Sequence, residues 1–245
     1  MTKLSVNVNK VATLRNTRHL NIPSVIDASR ACIQAGAHGI TVHPRPDARH
    51  IRPNDVHEIA ELLAAFPGIE FNIEGNPFHD YMHFAQKVHP TQCTLVPDEV
   101  ASFTSNQGWN LTKENMTRLK PVVNQLHDWG CRVSLFLDPV VSQVERAKEL
   151  GADRIELYTE PYAAAFAKGD EKAVDSYVAA ATKAKSLGLG VNAGHDLNLL
   201  NLPPLVKKIP YLAEVSLGHA LIADALYYGL ADTVRKYLDA LKPVK

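Results

Sequence analysis

Residues 132–158 read RVSLFLDPVVSQVERAKELGADRIELY. The two ends, RVSLFL (132–137) and RIELY (154–158), are short apolar runs with β-branched residues and predict strands. Between them, VVSQVERAKELGA (140–152) places apolar residues at three- and four-residue intervals, the pattern of one buried helix face. Gly151 falls at or near its C-cap, and Leu150-Gly151-Ala152 passes directly into the next strand. Strand, helix and strand with no hairpin between them describe two parallel strands and their crossover.

The same alternation fills the chain. Further strands are predicted at LSVNV (4–8), GITVH (39–43), IEFNIE (69–74), CTLV (93–96), LGVNA (189–193) and AEVSL (213–217). Amphipathic stretches separate them at 22–37, 54–66, 79–88, 112–130, 170–188 and 202–209, and one long final segment covers 220–242. Gly36, Gly130 and Gly188 close helical patterns as Gly151 does. Eight strands at about 30 residues per unit predict an α/β fold, a single (β/α)8 TIM barrel spanning residues 1–245. An open doubly wound sheet is the other arrangement of such units, but no GxGxxG follows the first strand. The longest non-periodic connection, 98–112, follows strand four and is a candidate lid or substrate loop.

Lysine plus arginine equals aspartate plus glutamate, 26 each, which argues against the basic field of a nucleic-acid binder. An anion must then be held by a few placed groups. Cys32, Cys93 and Cys131 share no short spacing, so neither a disulfide framework nor a cysteine-rich zinc site is expected. No run of 18 apolar residues occurs and MTKLSVNVNK has no apolar leader core, so a cytoplasmic protein without membrane attachment is expected.

In such a barrel the residues at and just past the strand C-termini face the site. Those positions hold Asn7, Asn9 and Lys10 (strand one), His43, Arg45 and His50 (two), and Glu74 (three). Asp138 follows strand five, Glu156 and Thr159 belong to strand six, Asn192 and His195 to seven, and His219 to eight. Glu74 ends an apolar run, where a carboxylate is costly unless partnered or used, and partial burial would raise its pKa toward that of a proton shuttle. The ordinary alternative is a glutamate paired structurally with an arginine. His43 and His195 are its natural acid–base partners, although either alone would more often be a hydrogen-bonded loop histidine. VNAGHDL (191–197) and VSLGHAL (215–221) are two Gly-His turns, each leading from a strand into a helix start, a place suited to an anion. Arg15 and Arg18, with Arg45 and Arg49, suggest two basic zones and hence two phosphates. His79 and His83 have metal-ligand spacing, but they lack the HExxH glutamate and fall on an outer helix, so no metal site is expected.

Taken in order, VNVNKVATLRNTR, GITVHPRPDARHI, NIE, LVPDE, TSNQGWNL, VSLFLD, IELYTEPYA, VNAGHDLN and LGHALI make the chain resemble the pyridoxine 5'-phosphate synthase family from end to end. The resemblance implies a (β/α)8 barrel that condenses 3-amino-2-oxopropyl phosphate with 1-deoxy-D-xylulose 5-phosphate. The products are pyridoxine 5'-phosphate, phosphate and water. It implies no metal or organic cofactor, and a homo-octamer. It further implies proton transfer by His43, Glu74 and His195. Contacts to the aminoketone phosphate are implied for Asn7, Arg18, Asp196, Gly218 and His219. Contacts to the deoxyxylulose phosphate are implied for Asn9, Lys10, Arg45, His50 and Ser105.

Four positions depart from the family's common pattern. Asn9-Lys10 stands where Asp-His is frequent, so an acid–base role for that pair is not carried over. Asp196 replaces a common glycine, which assigns any phosphate contact there to its backbone N–H. Pro46 replaces a common acidic residue beside Arg45. Two other classes fit the residues without the resemblance: a sugar-phosphate epimerase or aldolase, for which Lys10 would be the Schiff-base lysine, and a non-catalytic phosphate-ligand binder.

Overall fold

The structure, a computed structural model, describes residues 1–99 and 105–242. Eight parallel strands pair in chain order and close on themselves. They are β1 (Lys3–Asn7), β2 (Gly39–Val42), β3 (Glu70–Gly75), β4 (Gln92–Leu95), β5 (Arg132–Leu137), β6 (Arg154–Tyr158), β7 (Gly190–Gly194) and β8 (Glu214–Leu217). Every strand coincides with a predicted one, with ends displaced by no more than one residue. The chain is thus a (β/α)8 TIM barrel.

Among the described residues the helices are α1 (Asn9–Asn16), α2 (Val25–Gln34), α3 (Pro53–Ala64), α4 (Tyr81–Val88), α5 (Lys113–Asp128) and α6 (Val141–Leu150). They continue with α7 (Glu160–Ala167), α8 (Asp175–Ser186), α9 (Leu202–Lys208), α10 (His219–Tyr228) and α11 (Leu230–Ala240). Two of these are additions to the sequence reading: α1 and α7 are eight-residue helices lying directly after β1 and β6. The final segment is also not one helix, because Gly229, at φ +78°, divides it into α10 and α11. None of the described helices is long and apolar enough to cross a membrane.

Strand alternation sorts the side chains into two layers. Leu4, Val6, Ile40, Val42, Ile73, Leu95, Val133, Leu135, Ile155, Leu157, Val191, Val215 and Leu217 belong to the main apolar core shared with the helices. Each such side chain, fully buried, contributes roughly 1.5–3 kcal/mol. The other face is polar. Gln92 of β4 donates to Glu214 of β8 at 3.4 Å, and Asn192 of β7 donates to Gln92 at 3.3 Å. Ser216 of β8 donates to Glu74 of β3 at 3.3 Å. These strands are not neighbours, so the bonds run across the lumen. Ser5, Thr41, Asn72 and Thr94 extend the same network around the wall. A barrel interior is ordinarily filled by bulky branched side chains; here the apolar content at its upper end is confined to Val96, Phe136 and Tyr158.

The candidate lid loop 98–112 includes residues 100–104, which lie outside the described residues. Its later part is fastened over β4 and β5. The Trp109 backbone N–H donates to Phe136 O at 2.8 Å and its indole N–H to Leu95 O at 3.0 Å.

Candidate active site

A cavity of about 560 Å³ opens at the C-terminal ends of the strands. It is lined by His43, Glu74 and His195, and also by Asn7, Asn9, Lys10, Arg45, His50, Ser105, Asp196, Gly218 and His219. The structure therefore gathers twelve of the thirteen predicted site residues around one space. The exception is Arg18, which is exposed outside the cavity and bonds the Thr17 carbonyl.

Glu74 forms the floor. Asn7 Nδ2 donates to its Oε2 and Ser216 Oγ to its Oε1, each at 3.3 Å. Burial, opposed by the Ser216 hydrogen bond and reinforced by the negative charges of Asp98 and Glu214, pushes its carboxyl up to about 8. A second lumen carboxyl, Glu156, is fully enclosed, and burial with Glu74 and Glu214 nearby drives it well above the usual range. At neutral pH Glu74 therefore holds a proton.

The histidines are shifted the opposite way. His43 follows β2, and its backbone N–H donates to Asn9 Oδ1 at 3.0 Å, which ties the ends of β1 and β2 together. Burial lowers its imidazole well below the ordinary value, with the positive neighbours His50, Arg45, His195 and Arg49 adding to the effect. His50, edge-on to His43 at 6.1 Å, is brought down to about 4, first by burial and then by Arg45, Lys10 and Arg49. His195 is also lowered by burial, although Asp196 and Asp98 pull it back. Its ring rests against Phe136 at 5.1 Å and Tyr158 at 5.3 Å. The resting cavity thus pairs a protonated carboxyl with neutral imidazoles.

The groups expected on the two phosphates meet at the end of β1 and extend along its two flanks, toward β2 and toward β8 and β7. Lys10 lies in the first turn of α1, and Arg45, Arg49 and His50 follow β2. Arg45 Nη1 is engaged with Asp98 Oδ2 at 2.9 Å, and Ser105 Oγ donates to the same oxygen at 2.6 Å. Asp98, read in the sequence only as part of LVPDE, therefore ties the β2 and β4 loops together. On the other flank of β1, past β8, Gly218 caps α10, a ten-residue helix that starts at the cavity wall, where its dipole favours an anion. A Cβ on Gly218 would sit 3.3 Å from the Asn7 Cβ, so the helix start and β1 approach as closely as glycine allows. Asp196 stands at φ +58°, a left-handed conformation that glycine adopts more readily than a residue with a side chain.

Arg15 corrects the reading of the first basic zone. It is buried against Asp55, with Nη1–Oδ1 at 2.5 Å and Nη2–Oδ2 at 2.9 Å, and it bonds the His50 carbonyl. Its charge is spent on holding α1 to α3 and to the His50 loop, not on a ligand. The sequence reading also missed Ser216, Tyr158, Glu160 and Thr13, which line the cavity. Ser216 had a signal, since it is the one polar lumen position above Glu214 in β8. Tyr158 had none, because a tyrosine ending an apolar strand is ordinary core.

Comparison with known proteins converges on one family. Residues 4–243 match the family described as pyridoxal phosphate biosynthesis protein PdxJ. The chain is 53% identical to pyridoxine 5'-phosphate synthase of Porphyromonas gingivalis, covering 98% of this chain and 99% of that protein. It is 54% identical to that of Albidiferax ferrireducens, covering 97% and 96%. Among solved structures, tryptophan synthase from M. tuberculosis superposes with a TM-score of 0.65 at 10% identity, over 98% of this chain and 94% of that one. Phosphoribosylanthranilate isomerase from Thermotoga maritima does so with 0.60 at 12%, over 98% of both. Those two likenesses establish the barrel alone.

Proposed function

Because the chain belongs to the PdxJ family of pyridoxal phosphate biosynthesis proteins and is an enzyme of the pyridoxine 5'-phosphate synthase type, we propose that its barrel-end cavity joins 3-amino-2-oxopropyl phosphate to 1-deoxy-D-xylulose 5-phosphate. Pyridoxine 5'-phosphate, phosphate and water leave. The observation that carries this reading is the gathering of Glu74, His43 and His195 around one cavity, where burial raises the carboxyl and lowers both imidazoles. Joining an amine to a ketone needs a base for the ammonium proton and an acid for the departing oxygen. His43 accepts the first and Glu74 supplies the second; dehydration of the closing ring runs the exchange in reverse, with Glu74 as base and His43 as acid, and restores both groups. Burial favours the neutral form of His195, and a phosphate dianion beside it would raise its proton affinity and make it a donor.

Cationic groups on the β2 side of the cavity and a helix start on the β8 side support two phosphorylated substrates. The aminoketone phosphate is assigned to Asn7, the Asp196 backbone, Gly218 and His219 at the α10 start. The deoxyxylulose phosphate is assigned to Asn9, Lys10, Arg45, His50 and Ser105. Purified protein given both substrates, with no added metal or cofactor, is expected to release pyridoxine 5'-phosphate in a chromatographic assay; folded protein that yields none overturns the reading. Gly218→Val, which pushes a branched side chain onto Asn7, is expected to raise KM for the aminoketone phosphate about tenfold, near 1.4 kcal/mol. KM for the other substrate should move much less, and steady-state kinetics on each substrate separates the two effects.

We read the protein as a cytoplasmic homo-octamer. Leu14, Leu20 and Ile22 are 52%, 71% and 68% exposed and flank Arg18 in sequence, which supports contact between copies on this face. Such contact is also what would carry Arg18 to a phosphate, in a neighbouring copy's cavity. Light scattering of the purified protein tests the assembly.

A further inference from the structure

Strand alternation alone would turn His195 away from the cavity. Asn192 faces the lumen, where it bonds Gln92 and Arg154. Gly194, two residues on, faces it as well, and a Cβ there would collide with Glu156 Oε1. The next residue should then point outward, as Ala193 does, into the helix layer. Instead the His195 ring lies over Phe136 and Tyr158 and lines the cavity.

The backbone makes the difference. His195 has φ +81° and Asp196 has φ +58°, two successive left-handed residues with side chains. Each such residue costs about 1–2 kcal/mol and persists only where its surroundings impose it. The imposing group lies just past the neighbouring strand. Thr159, fully buried just beyond β6, places Oγ1 2.5 Å from Gly194 O and 2.6 Å from His195 O. Its own N–H donates to Gly194 O at 2.9 Å. The single hydroxyl proton can be shared between two successive carbonyls only if both turn to the same side, which an extended strand forbids and the left-handed turn produces. Asn201 Nδ2, bonded to Asp196 O at 3.1 Å, secures the far end.

We propose that Thr159 is a positioning residue whose hydroxyl clasps the Gly194 and His195 carbonyls and so holds the backbone turn that delivers His195 into the cavity. The consequence for turnover rests on the proton-transfer reading of His195; the geometric claim does not. Thr159→Val removes the hydroxyl at nearly constant volume, and Thr159→Ser retains it. In the valine variant kcat should fall by about one to two orders of magnitude while KM stays within about threefold, and serine should restore most of the loss. The His195 ring resonance, followed in protein labelled with ¹⁵N-histidine and assigned by its absence in His195→Gln, should leave its ring-current-shifted position. It should also titrate nearer to 6.5. An unchanged resonance and titration in Thr159→Val overturns the proposal. Normal turnover in His195→Gln would instead remove His195 from the chemistry, with the resonance still deciding the clasp. If the valine variant does not fold, Thr159→Ala, which cannot overpack, carries the same two readouts.

Discussion

Glu74→Gln is expected to give a folded barrel whose kcat is lower by about 10²–10⁴-fold, the usual worth of a positioned proton-transfer group. The amide keeps the bond from Ser216 but has no proton to give at that place. The parent's kcat/KM should fall on the acid side as His43 becomes protonated, below the ordinary histidine range, and on the alkaline side as Glu74 ionises near pH 8. The variant's residual activity should lose the alkaline limb. Near-parental turnover with that limb intact would remove Glu74 from the mechanism. The same variant should be the more stable protein. The Glu74 carboxyl titrates near 4.5 when exposed and near 8 in the fold, so both states are protonated below 4.5. Between those values only the unfolded chain ionises, so the parent loses stability as pH rises; above 8 the loss is complete. The advantage of Glu74→Gln should therefore grow from pH 5 to pH 8 and then level off, at a few kcal/mol or less since a pKa unit corresponds to about 1.4 kcal/mol. Thermal melts across that range test the sign.

Asp55→Ala should produce the largest loss of stability. It strips both carboxylate oxygens from a buried Arg15 and also removes the acceptor of the Arg52 N–H at the start of α3. Breaking a buried pair from one side costs about 3–5 kcal/mol, because the remaining charge has no counterpart. For a chain of this size that corresponds to a fall in Tm of about 10 °C. The damage should not stop there. Arg15 and Asn16 together bond the carbonyls of Ala48, Arg49 and His50, so the loop carrying Arg49 and His50 loses its anchor. KM for 1-deoxy-D-xylulose 5-phosphate should rise with the fall in stability, while Asp47→Ala, on an exposed aspartate of the same loop, should leave Tm nearly unchanged. Equal effects of the two variants would show that the buried pair does not organise this region.

The strands were legible because each is a short β-branched run bounded by turns, and a closed barrel adds no edge or irregular strand to the pattern. Helices α1 and α7 were not, for different reasons. VNKVATLRN reads as the end of strand one running into a polar loop, and EPYAAAF has too little polar contrast to show a face. Gly229 lay within an apolar period that continued on both sides, so only its backbone angle reveals the break. At the site, position within the barrel carried most of the information: most of the residues singled out at the strands' C-terminal ends line the cavity, whereas Asp138 past β5 and the buried Thr159 past β6 are not among its lining residues. What position could not show was pairing. Nothing in ATLRNTR distinguishes an arginine facing solvent from one bound to Asp55, forty residues away. Strand alternation, for its part, would have pointed His195 the wrong way without the left-handed turn.

The polar lumen also bears on how this barrel reaches a single structure. A strand displaced by one residue would exchange its two faces, placing Asn72, Gln92 or Glu156 in the helix layer and leucine or valine among carboxylates. Greasy interiors forgive such slips, because one branched side chain substitutes for another. Here each misaligned intermediate would strand amides and carboxyls without partners, so the lumen acts as a proofreader of strand alignment during folding.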